Sequence, residues 1–186
     1  LRIRGKAMQA ATPVGVGAMA AILGLDFADV AAVTREAAQG DVCQAANDNS
    51  SGQVVISGHK AAVDRACELA KARGAKRAVL LPVSAPFHCA LMQPAADAMA
   101  EALLNVAMNA PSVPLIANVV AVPISDAQEI RKRLVEQVTG TVRWRECVGF
   151  MAASGVKLFC EVGTGKVLTG LLKKNAPEAQ GLALGT

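Results

Sequence analysis

The sequence predicts a helix-rich α/β protein, and three observations carry the prediction. Apolar residues make up 53% of the 186 residues but aromatics only 3%, a balance that suits Ala-rich helices on strands better than a β-sandwich. Residues 14–82 run twice through one strand–helix–strand pattern. From residue 115 on, short apolar runs alternate with helical ones, as in a parallel α/β layer. The length fits one or two domains with a sizeable core.

Residues 1–9 read as a helix or the end of one, and Thr12-Pro13 marks its boundary. A strand is expected over 16–23. Asp26 is an N-cap for a helix over 27–39, with Phe27, Val30, Ala31 and Val33 at helical spacing, and Gly40 stops it. A second strand covers 42–46. The connector Asn47-Asp48-Asn49-Ser50-Ser51-Gly52 has the composition of a polar turn. The pattern then repeats as a strand over 53–57, a helix over 59–73 ended by Gly74, and a strand over 76–81. This order is that of a ferredoxin-like module, with His59 a surface residue in a helical first turn.

The second half predicts a long helix over 91–107 with Pro94 in its first turn, where proline is tolerated. A buried-type strand follows over 115–120. Ser125-Asp126 caps a helix over 127–138, and Gly140-Thr141 breaks it. Another helix spans 142–153, with Trp144, Val148 and Met151 on one face. A strand over 156–161, a helix over 167–174 and a strand over 182–184 complete the chain. Its start at Leu1 and its end just after a strand read as cut ends, so a fragment is expected.

Composition narrows the function. The net charge of +4 is modest, the basic residues are dispersed and no aromatics interleave with them, which argues against nucleic acid and leaves room for an acidic partner. Five cysteines without a C-x-x-C pair predict free thiols in a reducing cytoplasm. No apolar run reaches membrane-spanning length. Two distant histidines and no paired carboxylates at ligand spacing argue against a metal site.

Chemistry is best sought at Pro82-Val83-Ser84-Ala85-Pro86-Phe87-His88-Cys89. Two prolines stiffen a corner between a strand-like run and a helix-like run, and His88 sits at that corner. A histidine there is either structural or a proton-transfer group. As a base it lacks a nucleophile: the chain has no G-x-S-x-G, and Ser84 and Cys89 lie too close along the backbone. Gly163-Thr164-Gly165-Lys166 is a weak phosphate-loop match, since Val167 stands where Ser or Thr is needed; a glycine turn entering a helix is the better reading. Arg4 reads from composition alone as a solvated helix charge.

Six stretches, in order, are more specific together than singly: Arg4-Gly5-Lys6-Ala7-Met8-Gln9; Asn47 through Gly58; Pro86-Phe87-His88-Cys89-Ala90-Leu91-Met92; Asn118-Val119; Gln137 with Val142-Arg143-Trp144; and Glu161-Val162-Gly163-Thr164-Gly165-Lys166-Val167-Leu168. In these the chain resembles the malonyl-CoA:acyl-carrier-protein transacylase family of fatty-acid synthesis. The resemblance implies part of an α/β-hydrolase-like body, residues 1–13 and 83–186, with an inserted ferredoxin-like subdomain, residues 14–82. It implies that the nucleophile elbow lies outside this C-terminal portion, which alone is expected to be inactive. It makes His88 the base, the Gln137 carbonyl its orienting acceptor and Asn118 a helper at the ring. Arg4 then pairs with the malonyl carboxylate, while Phe87, Asn47 and Asn49 line the cleft. The family's substrates are malonyl-CoA and the phosphopantetheine thiol of acyl carrier protein, with no cofactor, and a cytoplasmic monomer is expected. Ser51 and Thr164 stand where the family usually or often has Pro. Two other readings remain: a non-catalytic ferredoxin-like binding or regulatory module, and a serine hydrolase fragment.

Overall fold

A computed structural model of the chain describes residues 1–185. Its first half is organised by one four-stranded antiparallel sheet. β1 (Gly17–Leu23), α2 (Phe27–Ala38), β2 (Cys43–Ser50), β3 (Gln53–His59), α3 (Lys60–Ala72) and β4 (Arg77–Leu80) follow the helix α1 (Arg2–Ala10), and the sheet order is β2-β3-β1-β4. This is the βαββαβ connectivity read from the sequence. Register puts Ala20 opposite Ile56 and Ile22 opposite Val54. These four side chains face α2 and α3, where Val30, Val33, Val63 and Ala66 complete a fully buried core. The other face is also covered: Met19, Ala46 and Val55 pack against Leu81 and Phe87. Two covered faces account for the unbroken burial of Val54 through Gly58.

The polar connector is not a turn. β2 continues through Asn47, Asp48, Asn49 and Ser50, leaving only Ser51-Gly52 to reverse the chain. Backbone pairing overrides composition here, because β2 is bonded on both sides. Asp48 lies opposite Val54, and Val142 N–H donates to Ala46 O while Val142 O accepts from Asp48 N–H, both at 2.8 Å. Asp48, only 2% exposed, is neutralised by a two-pronged contact from Arg145 at 2.7–3.1 Å. His59 is likewise no simple surface residue: it is the N-cap of α3, and its Nδ1 accepts the Val42 N–H at 2.9 Å.

The second half departs further from expectation. The long helix is a 3-10 turn, Ala90–Met92, followed by α4 (Gln93–Leu104). The single strand over 115–120 is a hairpin, β5 (Leu115–Ala117) and β6 (Val122–Ile124), turned through Ala121 at φ 55°. α5 (Ala127–Thr139) starts at Asp126, whose carboxylate accepts the Glu129 N–H at 2.8 Å. α6 (Trp144–Ala153) begins late because Val142 is held in the bridge to β2. Among the described residues, only β7 (Leu158–Glu161), α7 (Val167–Asn175) and β8 (Gln180–Ala183) form the parallel unit expected from residue 115 on. A second core joins α1, α4 and α5 through Met8, Met92, Ala95, Met99 and Val138, with Phe87 and Ala85 at its edge.

Candidate active site

His88 sits where the two cores meet. Phe87, just before it, packs against both the outer face of the sheet and the α1–α4–α5 core. Pro86 is fully buried against Gly17, where a Cβ would fall 2.3 Å from its ring. On the far side the Ala90 N–H donates to Gln44 Oε1 at 2.6 Å. Held at both ends, His88 adopts φ 58°, a left-handed conformation uncommon outside glycine. Strain of this kind persists only where the surroundings fix it, and it clusters at functional sites.

The ring is half-buried, with Nδ1 2.9 Å from the backbone oxygen of Gln137 near the C-terminal end of α5. A carbonyl only accepts, so Nδ1 carries the proton and Nε2 the lone pair. Burial is the strongest influence on the imidazole and holds its pKa below the ordinary 6.5; the Gln137 carbonyl opposes this, and the Arg4 charge adds to it. The ring is therefore neutral at pH 7. The Gly140 carbonyl is a second backbone oxygen acting on the ring, and Nε2 is the atom a base would use.

Arg4 is half-buried on α1, one turn before the buried Met8, and so on the side of the helix that faces the core. It takes part in none of the ion pairs among the described residues. The Arg4 charge, which makes no ion pair among the described residues, disfavours protonation of the His88 ring.

The other sequence-predicted residues are placed less directly. Asn118 shares a cavity of about 210 Å³ with Gln137 and Arg133, and its buried Oδ1 has no hydrogen-bond partner. It makes no hydrogen bond to the His88 ring; its backbone oxygen accepts from Arg143 N–H at 3.0 Å. Asn47 and Asn49 lie half-buried at alternate positions of β2. Asn47 is bridged to Val142, and the Asn49 carbonyl accepts from the Asn175 side chain at 2.8 Å, so neither bonds to His88.

Competing sites are weaker. Cys89 is fully buried, its thiol donates to Pro86 O at 3.1 Å, and burial raises its pKa. Ser84 Oγ accepts from Gln9 Nε2 at 2.6 Å. The donors at the start of α7 are already taken by a carboxylate: Glu161 accepts from Leu168 N–H, Thr169 N–H and the Thr169 hydroxyl at 2.7–3.1 Å. Among the described residues no group of three His, Cys, Asp or Glu is placed to hold a metal. Sequence reasoning missed the supports of the corner, Gln44 and Thr141. No local pattern announces them, since their partners lie 46 and 96 residues away.

Residues 1–183 match the model of the acyl transferase domain. The chain is 50% identical to malonyl CoA-acyl carrier protein transacylase of Escherichia coli K12 over 99% of its own length and 63% of that relative's. It superposes with a TM-score of 0.95 on the crystal structure of an acyl-carrier-protein S-malonyltransferase from Bartonella henselae, at 57% identity, over all of this chain and 59% of that one. A complex of a type II PKS acyl-carrier protein with its malonyl-transacylase matches with a TM-score of 0.94 at 45% identity, over 98% of this chain and 60% of that one. The chain thus spans about three-fifths of the length of these relatives.

Proposed function

The chain belongs to the acyl transferase domain family, and from that membership we propose that it supplies the base and the carboxylate clamp for transfer of a malonyl group from malonyl-CoA to the phosphopantetheine thiol of acyl carrier protein, in fatty acid biosynthesis. The observation that carries the reading is His88, neutral and aimed by the Gln137 carbonyl, with the charge of Arg4 on α1 acting on its ring. In the proposed cycle a serine outside this chain attacks the malonyl thioester while His88 Nε2 takes its proton. His88 returns that proton to the departing CoA thiolate, leaving a malonyl-serine ester. The carrier's thiol, deprotonated by His88, then attacks the ester, and the serine oxygen leaves with the proton. The Gln137 carbonyl keeps Nδ1–H oriented and steadies the imidazolium, as a carboxylate does in other triads. Thioester exchange through an ester calls for no metal or redox cofactor.

Arg4 provides substrate choice. Its planar fork matches a carboxylate as a point-charge lysine does not. Phe87 is proposed as a steric filter beside the acyl group, and Asn47, Asn49 and Asn118 as cleft-lining polar groups, Asn118 with its orphaned Oδ1 in the cavity it shares with Gln137. Residues 14–82 are proposed as the small subdomain and 1–13 with 83–186 as part of the larger one. The free state of all five cysteines supports a cytoplasmic setting, and the complete enzyme, as distinct from this chain alone, is proposed to be a monomer. The test is competition between malonyl-CoA and acetyl-CoA in the complete enzyme. Arg4→Ala is expected to lose the preference for malonyl; a preference kept at the wild-type level contradicts the clamp.

A further inference from the structure

The ring of His88 and the carbonyl that aims it come from distant segments, and one strand fixes their separation. β2 holds the His88 side through Gln44, whose Oε1 accepts the Ala90 N–H at 2.6 Å. It holds the Gln137 side through the turn that ends α5. There the Thr141 hydroxyl donates to Ala45 O at 2.7 Å, and Val142 is bonded to Ala46 and Asp48. The same turn is stitched back to α5 by Gln137, whose Nε2 donates to Gly140 O at 2.9 Å and to Thr141 O at 3.4 Å. Gly140 has no slack of its own, since a Cβ there would meet Val119 and the Glu136 carbonyl at 2.7 and 2.8 Å.

We propose that Thr141 is a positioning residue for the reaction: through its bond to β2 it sets where the Gln137 carbonyl stands relative to His88. Thr141 touches neither ring nor substrate and acts through the turn. This rests on the malonyl-transfer reading for its kinetic arm, but its structural arm is independent. The backbone pairing of Val142 keeps the turn on the sheet when the hydroxyl is lost, so the change expected is a small displacement rather than unfolding. Misplacing a catalytic hydrogen bond by a fraction of an ångström reduces turnover by about tenfold, with binding little changed.

The direction of the titration follows from the groups around the ring. Gln137 O and Gly140 O favour the protonated form; burial and Arg4, the charged group acting on it from α1, oppose it. Weakening the carbonyl contact therefore lowers the midpoint further, and the acid limb of kcat/KM moves to lower pH with it.

The experiment compares Thr141→Val and Thr141→Ser in the complete enzyme, reading the His88 imidazole by ¹⁵N NMR, assigned against His88→Asn, alongside malonyl transfer. Gln44→Ala, at an exposed position, tests the other end of the strand without touching the core. Thr141→Val is expected to lower the His88 midpoint and kcat together at near-constant KM, Gln44→Ala to do so more weakly, and Thr141→Ser to restore both. A midpoint that stays at the wild-type value, or rises towards that of a solvated imidazole, with kcat falling no more than the folded fraction, overturns the proposal. A midpoint lowered in Thr141→Val, when the wild-type enzyme transfers no malonyl, upholds the positioning and removes the function assigned above.

Discussion

At the scale of single residues the account turns on His88 staying neutral. Its folded pKa is depressed by burial, so the folded protein binds the proton less readily than the unfolded chain does. Stability from this group is fully present above about pH 6.5, the unfolded value, and is lost as pH falls through the lower folded value. Urea denaturation of wild type and His88→Gln over that window is expected to show the extra acid sensitivity only in wild type. Transfer activity is expected to rise with pH through a midpoint below 6.5 and to be flat at neutrality. The Pro-flanked corner announced His88, and the family resemblance supplied Arg4. The Gln137 contact came from the same resemblance and not from residue types, because a backbone carbonyl does the work and every residue carries one. Asn118 was read as a helper at the ring, yet its side chain bonds to nothing there.

At the scale of elements, β2 does most to place the site. Its polar residues looked like a loop because composition does not reveal a partner 97 residues away: Arg145 lets Asp48 lie inside a strand at 2% exposure. Replacing Arg145 by Ala leaves that carboxylate buried and uncompensated. A fully buried pair broken on one side loses about 3–5 kcal/mol; with the Arg145 side chain 43% exposed, a loss on the order of 2–3 kcal/mol is expected, measured as a lower urea midpoint. Asp48→Asn together with Arg145→Ala is expected to recover part of it. β1 contributes through Gly17, whose missing Cβ admits Pro86. Gly17→Ala is expected to destabilise by about 1–3 kcal/mol through overpacking and to slow transfer more than a remote variant of equal stability. The amphipathic helices were legible because their periodicity is local. The β5–β6 hairpin was not, because strands of three residues carry too little alternation to separate from one longer strand.

At the scale of the whole molecule, the ferredoxin-like order was readable because its two halves echo each other, and the helix of each half is closed by a glycine, Gly40 or Gly74. The expected parallel layer was over-extended, since strand–helix alternation in sequence does not fix strand partners. The two-stranded β7–β8 sheet leaves Leu158, Leu182 and Leu184 exposed, with Val162 and Val167 nearby. Exposed apolar side chains on and around a sheet too small to be stable alone mark a region that needs a partner. The 186-residue chain by itself is expected to self-associate in light scattering, and Leu158→Lys with Leu184→Lys to reduce this; a monodisperse monomer at micromolar concentration contradicts it. The central claim is that His88 of this chain activates a serine for malonyl capture. Rapid-quench mass spectrometry of the complete enzyme mixed with malonyl-CoA measures that step alone. Wild type is expected to accumulate the malonyl-serine adduct and His88→Ala to form it about a thousandfold more slowly; adduct formation by His88→Ala at the wild-type rate would contradict the account.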